Sequence, residues 1–153
     1  MASGGACNVS KRLSVLDADH CVGCQLCVFA CARRPGVAGL SGTGIWVRSA
    51  GGIRKGFVVI ACRACADPSC ARVCPTDALE IRPDGGVRLH PELCIGCRNC
   101  VGACPFGAAI WDAAHEKPTI CSGCGYCVDY CAYDVLKLKE LPVTQEEVVY
   151  VGK

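Results

Sequence analysis

Sixteen of the seventeen cysteines fall into four compact runs, each placing four sulfurs within 11 to 13 residues. The first is Cys21-x2-Cys24-x2-Cys27-x3-Cys31, and the second is Cys62-x2-Cys65-x4-Cys70-x3-Cys74, followed by Pro75. The third is Cys94-x2-Cys97-x2-Cys100-x3-Cys104, followed by Pro105, and the fourth is Cys121-x2-Cys124-x2-Cys127-x3-Cys131. Thiolates are soft, negatively charged donors that select zinc or iron–sulfur cores. A [4Fe–4S] cube takes four of them, one per iron, and three cysteines at x2 intervals let one tight loop wrap three corners. Structural zinc sites usually use two C-x2-C pairs well separated in sequence. His20, His90 and His115 complete no such set. The spacing therefore predicts four [4Fe–4S] clusters rather than zinc. Cys7 is left over, either a redox-active or interface thiol or an inert one.

The third run matches the bacterial ferredoxin pattern C-x2-C-x2-C-x3-C-P in full, and in that pattern the fourth cysteine ligates the other cluster of a pair. The first and fourth runs differ by Ala32 and Ala132 in place of proline, and the second has two extra residues between Cys65 and Cys70. Exchange of fourth cysteines sorts four runs into two pairs. The second and third both end Cys-Pro and share a ferredoxin-type connector, residues 76–93, whereas the first and fourth both end Cys-Ala. This favours a nested arrangement; tandem pairing, first with second and third with fourth, stays open. The nested ligand sets are Cys21, Cys24, Cys27 and Cys131; Cys62, Cys65, Cys70 and Cys104; Cys94, Cys97, Cys100 and Cys74; and Cys121, Cys124, Cys127 and Cys31.

The connectors must hold these loops in place. Residues 80–82 and 87–89 are short β-prone runs around the turn signal Pro83-Asp84-Gly85-Gly86. Residues 44–48 and 53–61 flank Ala50-Gly51-Gly52 and predict a second hairpin, inserted between the first two runs. Short helices are expected after the last cysteine of each run, as at residues 75–79, where proline suits the first helical position. The tail alternates at Lys137-Leu138-Lys139 and ends in Val148-Val149-Tyr150-Val151, which reads as a strand or an arm. The fold class expected is α+β: two nested bacterial-ferredoxin-like units of short helices and hairpins, with clusters replacing much of a hydrophobic core. The domain reading is an N-terminal segment 1–14, a four-cluster body 15–140 and a C-terminal arm 141–153. Within the body, a central unit spans about 60–110, and an outer unit is built from the runs at 21–31 and 121–131.

Charge is close to balanced, 16 Lys plus Arg against 14 Asp plus Glu. That gives no support to nucleic acid or an anionic membrane as partner. Counting sixteen thiolates and four oxidised cores of about +2 each moves the net charge from +2 to roughly −6. The N-terminal residues show no apolar signal region, and the longest apolar stretch, near 57–62, is too short to span a bilayer. A reducing cytoplasm without disulfides is the expectation.

The stretch Cys94-Ile95-Gly96-Cys97-Arg98-Asn99-Cys100-Val101-Gly102-Ala103-Cys104-Pro105 resembles the iron–sulfur subunits that serve molybdenum and tungsten oxidoreductases, and so does the stretch 62–79. The resemblance covers roughly residues 15 to 140. It implies four cubane clusters in two nested ferredoxin-like units. Members of the dimethyl-sulfoxide-reductase branch usually carry a long insertion after the second cysteine of one motif; here Cys121-Ser122-Gly123-Cys124-Gly125-Tyr126-Cys127 is compact. In this the chain looks more like the polyferredoxin subunits of tungsten aldehyde oxidoreductases. That resemblance implies relay of electrons between a larger tungstopterin subunit and a flavin or other redox subunit. A freely diffusing polyferredoxin is one alternative. The others are an iron–sulfur subunit of a dimethyl-sulfoxide-reductase-type, formate dehydrogenase or hydrogenase complex. Contacts between copies of the chain would join such wires end to end.

Phe29, Phe106, Trp111, Tyr126, Tyr130 and Tyr133 lie in or just after the runs, where they either exclude water from the clusters or simply pack. Arg48, Arg54 and Lys55 of the inserted hairpin are either a dock for an acidic partner or an ordinary solvated turn. No GxGxxG or GxxxxGK[ST] occurs, so neither flavin nor nicotinamide is expected on this chain. No nucleophile–base or paired-carboxylate constellation appears, so chemistry on a substrate is expected in another subunit.

Overall fold

The computed structural model describes residues 10–36, 38–51 and 56–141. Cys7, Arg54, Lys55 and the 148–151 run lie outside the described residues. Among the described residues, three antiparallel hairpins and one further antiparallel strand pair frame three short helices. In chain order these are β1 (Ser10–Val15), α1 (Leu26–Arg33), β2 (Ile45–Ser49), β3 (Phe57–Ala61), α2 (Ser69–Arg72), β4 (Leu79–Ile81), β5 (Val87–Leu89), α3 (Asn99–Ala103), β6 (Ile110–Asp112), β7 (Lys117–Thr119) and β8 (Leu136–Leu141). A single 3-10 turn at Ala18–His20 leads into the first cysteine run.

Both expected hairpins form. In β2–β3, Ile45 pairs with Ala61 and Ser49 with Phe57, so Ile45 and Val47 share the buried face. In β4–β5, the chain turns at 82–86, where the Arg82 N–H donates to the Gly86 carbonyl (3.1 Å) and the Gly85 N–H to the Arg82 carbonyl (3.0 Å). The hairpin β6–β7 was not foreseen: its strands are three residues long, and Pro118 weakens the strand signal. β1 pairs with β8 along its whole length, Leu13 opposite Leu138 and Val15 opposite Leu136. Among the described residues β1 thus starts at Ser10, within the segment read as N-terminal, and β8 reaches Leu141.

The helices sit elsewhere than expected. Each holds the third cysteine of its run and none starts after the fourth, and residues 75–78 lead into β4. The x3 spacing is one helical turn, which in α1 puts Cys27 and Cys31 on the same side of the helix. In the second and third runs proline stops the helix before the fourth cysteine, because the residue before proline is driven out of the helical region. Cys104, before Pro105, is extended at φ −75°, ψ 112°. Cys31 precedes Ala32, and α1 runs on through it to Arg33.

Two small cores result. One gathers Leu13, Val28, Ile45, Val47 and Leu136 with Cys27 and Cys127, so it joins the first and fourth runs. The other gathers Ala71, Leu79, Val87 and Cys100, joining the second and third.

Candidate functional site

Each run wraps its first three cysteines around a hollow by means of left-handed backbone between them. Gly23 and Gln25, Gly96 and Arg98, and Gly123 and Gly125 occupy equivalent places before and after the second cysteine, all with φ between 64° and 80°. In the second run Ala64 takes the first of these places at φ 49°. Gly123 is doubly constrained, since a Cβ there would lie 2.6 Å from the Lys11 carbonyl oxygen. Gly123→Ala combines left-handed strain of about 1–2 kcal/mol with that backbone clash. We expect a loss of roughly 2–4 kcal/mol in anaerobic denaturation. Gly102→Ala, where a Cβ meets nothing, is the matched control and should be neutral or stabilising. A Gly123→Ala protein as stable as the control would show that the loop does not need this geometry.

The fourth sulfur of each hollow comes from another run. Cys21, Cys24 and Cys27 share a cavity with Cys131 (site I). Cys62, Cys65 and Cys70 share one with Cys104 (site II). Cys94, Cys97 and Cys100 share one with Cys74 (site III), and Cys121, Cys124 and Cys127 share one with Cys31 (site IV). Cys31 thus lines the hollow of the fourth run and not that of the second. All sixteen described cysteines are free of disulfides.

The sites form a series. Cys70 and Cys74 pack on the core that holds Cys100, which joins II to III. Cys62 and Cys121 line one crevice between II and IV, and Ile120 borders both of those hollows. Cys27 and Cys127 share a core between I and IV. The contacts therefore run III, II, IV, I.

Burial pushes the Cys127 thiol up to about 12, and its neighbours Cys121, Cys31, Cys27 and Cys124 act in the same direction. Burial likewise pushes Cys27, Cys70 and Cys121 up to about 11 and raises Cys62 and Cys100. Sulfurs so crowded cannot all ionise without positive charge in their midst, and iron supplies it while protons leave. Backbone donors are already aimed at several of the sulfurs. The Gly44 N–H donates to Cys31 Sγ (3.3 Å), the Ala108 N–H to Cys104 Sγ (3.3 Å) and the Gly123 N–H to Cys121 Sγ (3.4 Å). Burial also pushes Cys74 up, but hydrogen bonds from the backbone and hydroxyl of Thr76 and the backbone of Leu79 and Ala78 outweigh it and leave this thiol low.

The donor set fits a multi-iron sulfide core. Every hollow offers four sulfurs, and no histidine lines any of them. The sulfurs surround a space instead of meeting at a point, and among the described residues no three His, Cys, Asp or Glu side chains are grouped for a single ion. At site III the indole N–H of Trp111 is buried without a partner; such a donor costs about 1–3 kcal/mol unless an acceptor is supplied.

The aromatic residues divide between the two roles expected of them. Trp111 lines site III beneath the Arg98 guanidinium, 4.3 Å from its ring centre, and Phe106 lines site II with Arg63 5.0 Å away. Tyr126 borders site IV, while Tyr130 and Tyr133 border site I. Phe29 is exposed and borders none of the four hollows. Phe57 was not foreseen: its ring fills the space beside Gly23, where a Cβ would lie 2.3 Å away. An aromatic in an inserted hairpin carries no sequence sign of such a role.

Among curated proteins, the sequence is 38% identical over 113 residues to a component of the anaerobic dimethyl sulfoxide reductase of Haemophilus influenzae, covering 63% of this chain and 54% of that protein. It is 41% identical over 103 residues to a component of the tetrathionate reductase of Archaeoglobus fulgidus, covering 66% and 49%. It is 36% identical over 139 residues to a component of the selenate reductase of Mesobacillus selenatarsenatis, covering 87% and 48%. The chain thus spans about half the length of the curated relatives it matches. A similar fold occurs in a solved chain of the active site complex BamBC of benzoyl coenzyme A reductase, with a TM-score of 0.50 and 17% identity, covering 95% of this chain and 83% of that one. Residues 18–34, around the first run, match the 4Fe–4S binding domain. The 4Fe–4S dicluster domain matches residues 53–141, more than half of the sequence and all three remaining runs, so this protein belongs to that family and carries multiple [4Fe–4S] clusters.

Proposed function

We propose that this chain is a non-catalytic electron-transfer subunit holding four [4Fe–4S] clusters, one at each of sites I to IV. The observation that carries this reading is the unbroken series of four all-sulfur hollows. When bound, each cluster takes up and releases one electron. The ligands are the sets already given: site I Cys21, Cys24, Cys27 and Cys131; site II Cys62, Cys65, Cys70 and Cys104; site III Cys94, Cys97, Cys100 and Cys74; site IV Cys121, Cys124, Cys127 and Cys31. Nested ferredoxin-like units follow from those sets, the central one carrying II and III and the outer one I and IV.

The two ends of the series differ from its middle. The residue after the first cysteine is exposed and apolar at the ends, Val22 at 50% and Ile95 at 66% exposure, whereas the inner sites have Arg63 and Ser122 there. Exposed apolar side chains beside the terminal sites suit contact with redox partners. We assign one end to a larger catalytic oxidoreductase subunit and the other to a second redox subunit, of flavin or other type, within a reducing, cytoplasmic compartment. Among the described residues no helix is long and apolar enough to cross a membrane.

The compact run 121–127 favours a tungstopterin catalytic partner of the aldehyde oxidoreductase kind. A dimethyl-sulfoxide-reductase-type partner is the second reading, favoured by the names of the relatives. Anaerobically purified protein should contain about sixteen irons and about sixteen sulfides per chain and no stoichiometric zinc. Stoichiometric zinc with little iron would refute the reading. Tungsten or molybdenum in the co-purified complex decides between the two partners.

A further inference from the structure

Arg82 stands where the two units meet. It belongs to the β4–β5 turn of the central unit, yet its Nη1 donates to the carbonyl oxygen of Ser122, next to Cys121 in the fourth run, at 3.1 Å. Its remaining nitrogens are held from the other side by Asp84: Nε donates to Oδ1 at 2.9 Å and Nη2 to Oδ2. This two-point grip fixes the plane of the guanidinium and so the direction of the third contact. The side chain is 19% exposed and lines the crevice that contains both Cys62 and Cys121. Close backbone packing leaves the crevice no slack. A Cβ on Gly85 would lie 2.8 Å from the Ala64 carbonyl oxygen, and the Gly86 N–H donates to the Cys65 carbonyl (2.9 Å). The other cations there are Lys11, which pairs with Glu140 at 3.7 Å, and Arg12.

We propose that Arg82 is a positioning residue, which holds the Cys121 loop against the Cys62 loop and raises the reduction potentials of the two clusters that meet there. This rests on the electron-transfer reading above. Each reduction adds negative charge to a site already ringed by thiolates, and a fixed, largely buried cation stabilises that charge more than water does. Sites I and III lie beyond the crevice and receive less of the effect. Arg82 thereby fixes the one contact in the series that crosses between units.

The test is an anaerobic redox titration of the full chain followed by electron paramagnetic resonance, with iron and sulfide assayed alongside, on wild type, Arg82→Gln and Arg82→Lys. Arg82→Gln should keep its iron while two of the four midpoint potentials fall. At the wild-type midpoint the reduced-to-oxidised ratio of those two clusters should drop about tenfold, a shift of about 59 mV for one electron. Arg82→Lys, which keeps the charge but loses the two-point grip, should fall by clearly less than Arg82→Gln. Four unchanged potentials in a fully loaded Arg82→Gln protein would overturn the proposal, as would equal shifts in both variants. Loss of iron from both variants would make Arg82 a structural clamp only and would also overturn it. Wild type without clusters would refute the functional reading instead, so the two failures are distinguishable.

Discussion

Cys31→Ala is expected to leave a chain with about twelve irons where wild type has about sixteen, one cubane fewer. The missing cluster should be that of Cys121, Cys124 and Cys127, because Cys31 lines their hollow although it lies in the first run. Alanine is the right replacement, since serine still offers iron an oxygen. Site I keeps all four of its sulfurs and should keep its spectrum. Site IV lies inside the series, so electrons delivered at the site III end should no longer reach site I, and that transfer should fall to background. Resonance spectra of the reduced variant, compared with those of Cys27→Ala, identify which cluster has gone. Loss of the Cys62, Cys65 and Cys70 cluster would establish tandem pairing in place of nested.

Chelating the iron should have a still larger effect: the chain should lose its cooperative fold. Its apolar interior is thin. The largest fully buried side chains are Ile45, Val28 and Thr43, and the core of the central unit consists of Ala71, Leu79, Val87 and Cys100. Hairpins of three residues per strand are not stable in water by themselves. With four mutually repelling sulfurs lining each hollow, metal binding and folding become one equilibrium. Circular dichroism and amide exchange, recorded before and after anaerobic chelation, should show the strand signal and the protection disappearing together. A chelated chain that still melts cooperatively within a few degrees of the holoprotein would show that the hairpins and two small cores suffice.

The chemistry was more legible in the sequence than the scaffold was. Sulfur spacing is a local signal, read within 11 to 13 residues, and an all-sulfur donor set leaves few alternatives. The β2–β3 and β4–β5 hairpins were legible because glycine, and in the second case proline, marks the connection between their strands. The helices were misplaced because Pro75 was read as a helix start, when its main effect is to end the helix that precedes it. The β1–β8 pair was beyond reach, since Lys137-Leu138-Lys139 shows a strand but nothing nearby names a partner at the opposite end of the chain. Arg82 was hidden for the same reason. A single arginine in a turn signals only solvation until the fold brings Ser122 to it.

Pairing the first described strand with the last has a consequence for how the molecule is made. On the ligand sets proposed above, the second and third runs leave the ribosome with each other's fourth sulfurs, Cys74 and Cys104, already in hand, so the central unit would mature while synthesis continues. The first run must wait. Cys131, which shares its hollow, and β8, which pairs with β1, are both among the last described parts of the chain to appear. During that interval Cys21, Cys24 and Cys27 are an incomplete ligand set open to oxidants. The inner unit, the earlier product, is the natural template on which the outer one closes, and Arg82 and Gly85, which share a crevice with Lys11 and Gly123, belong to the surface it closes on.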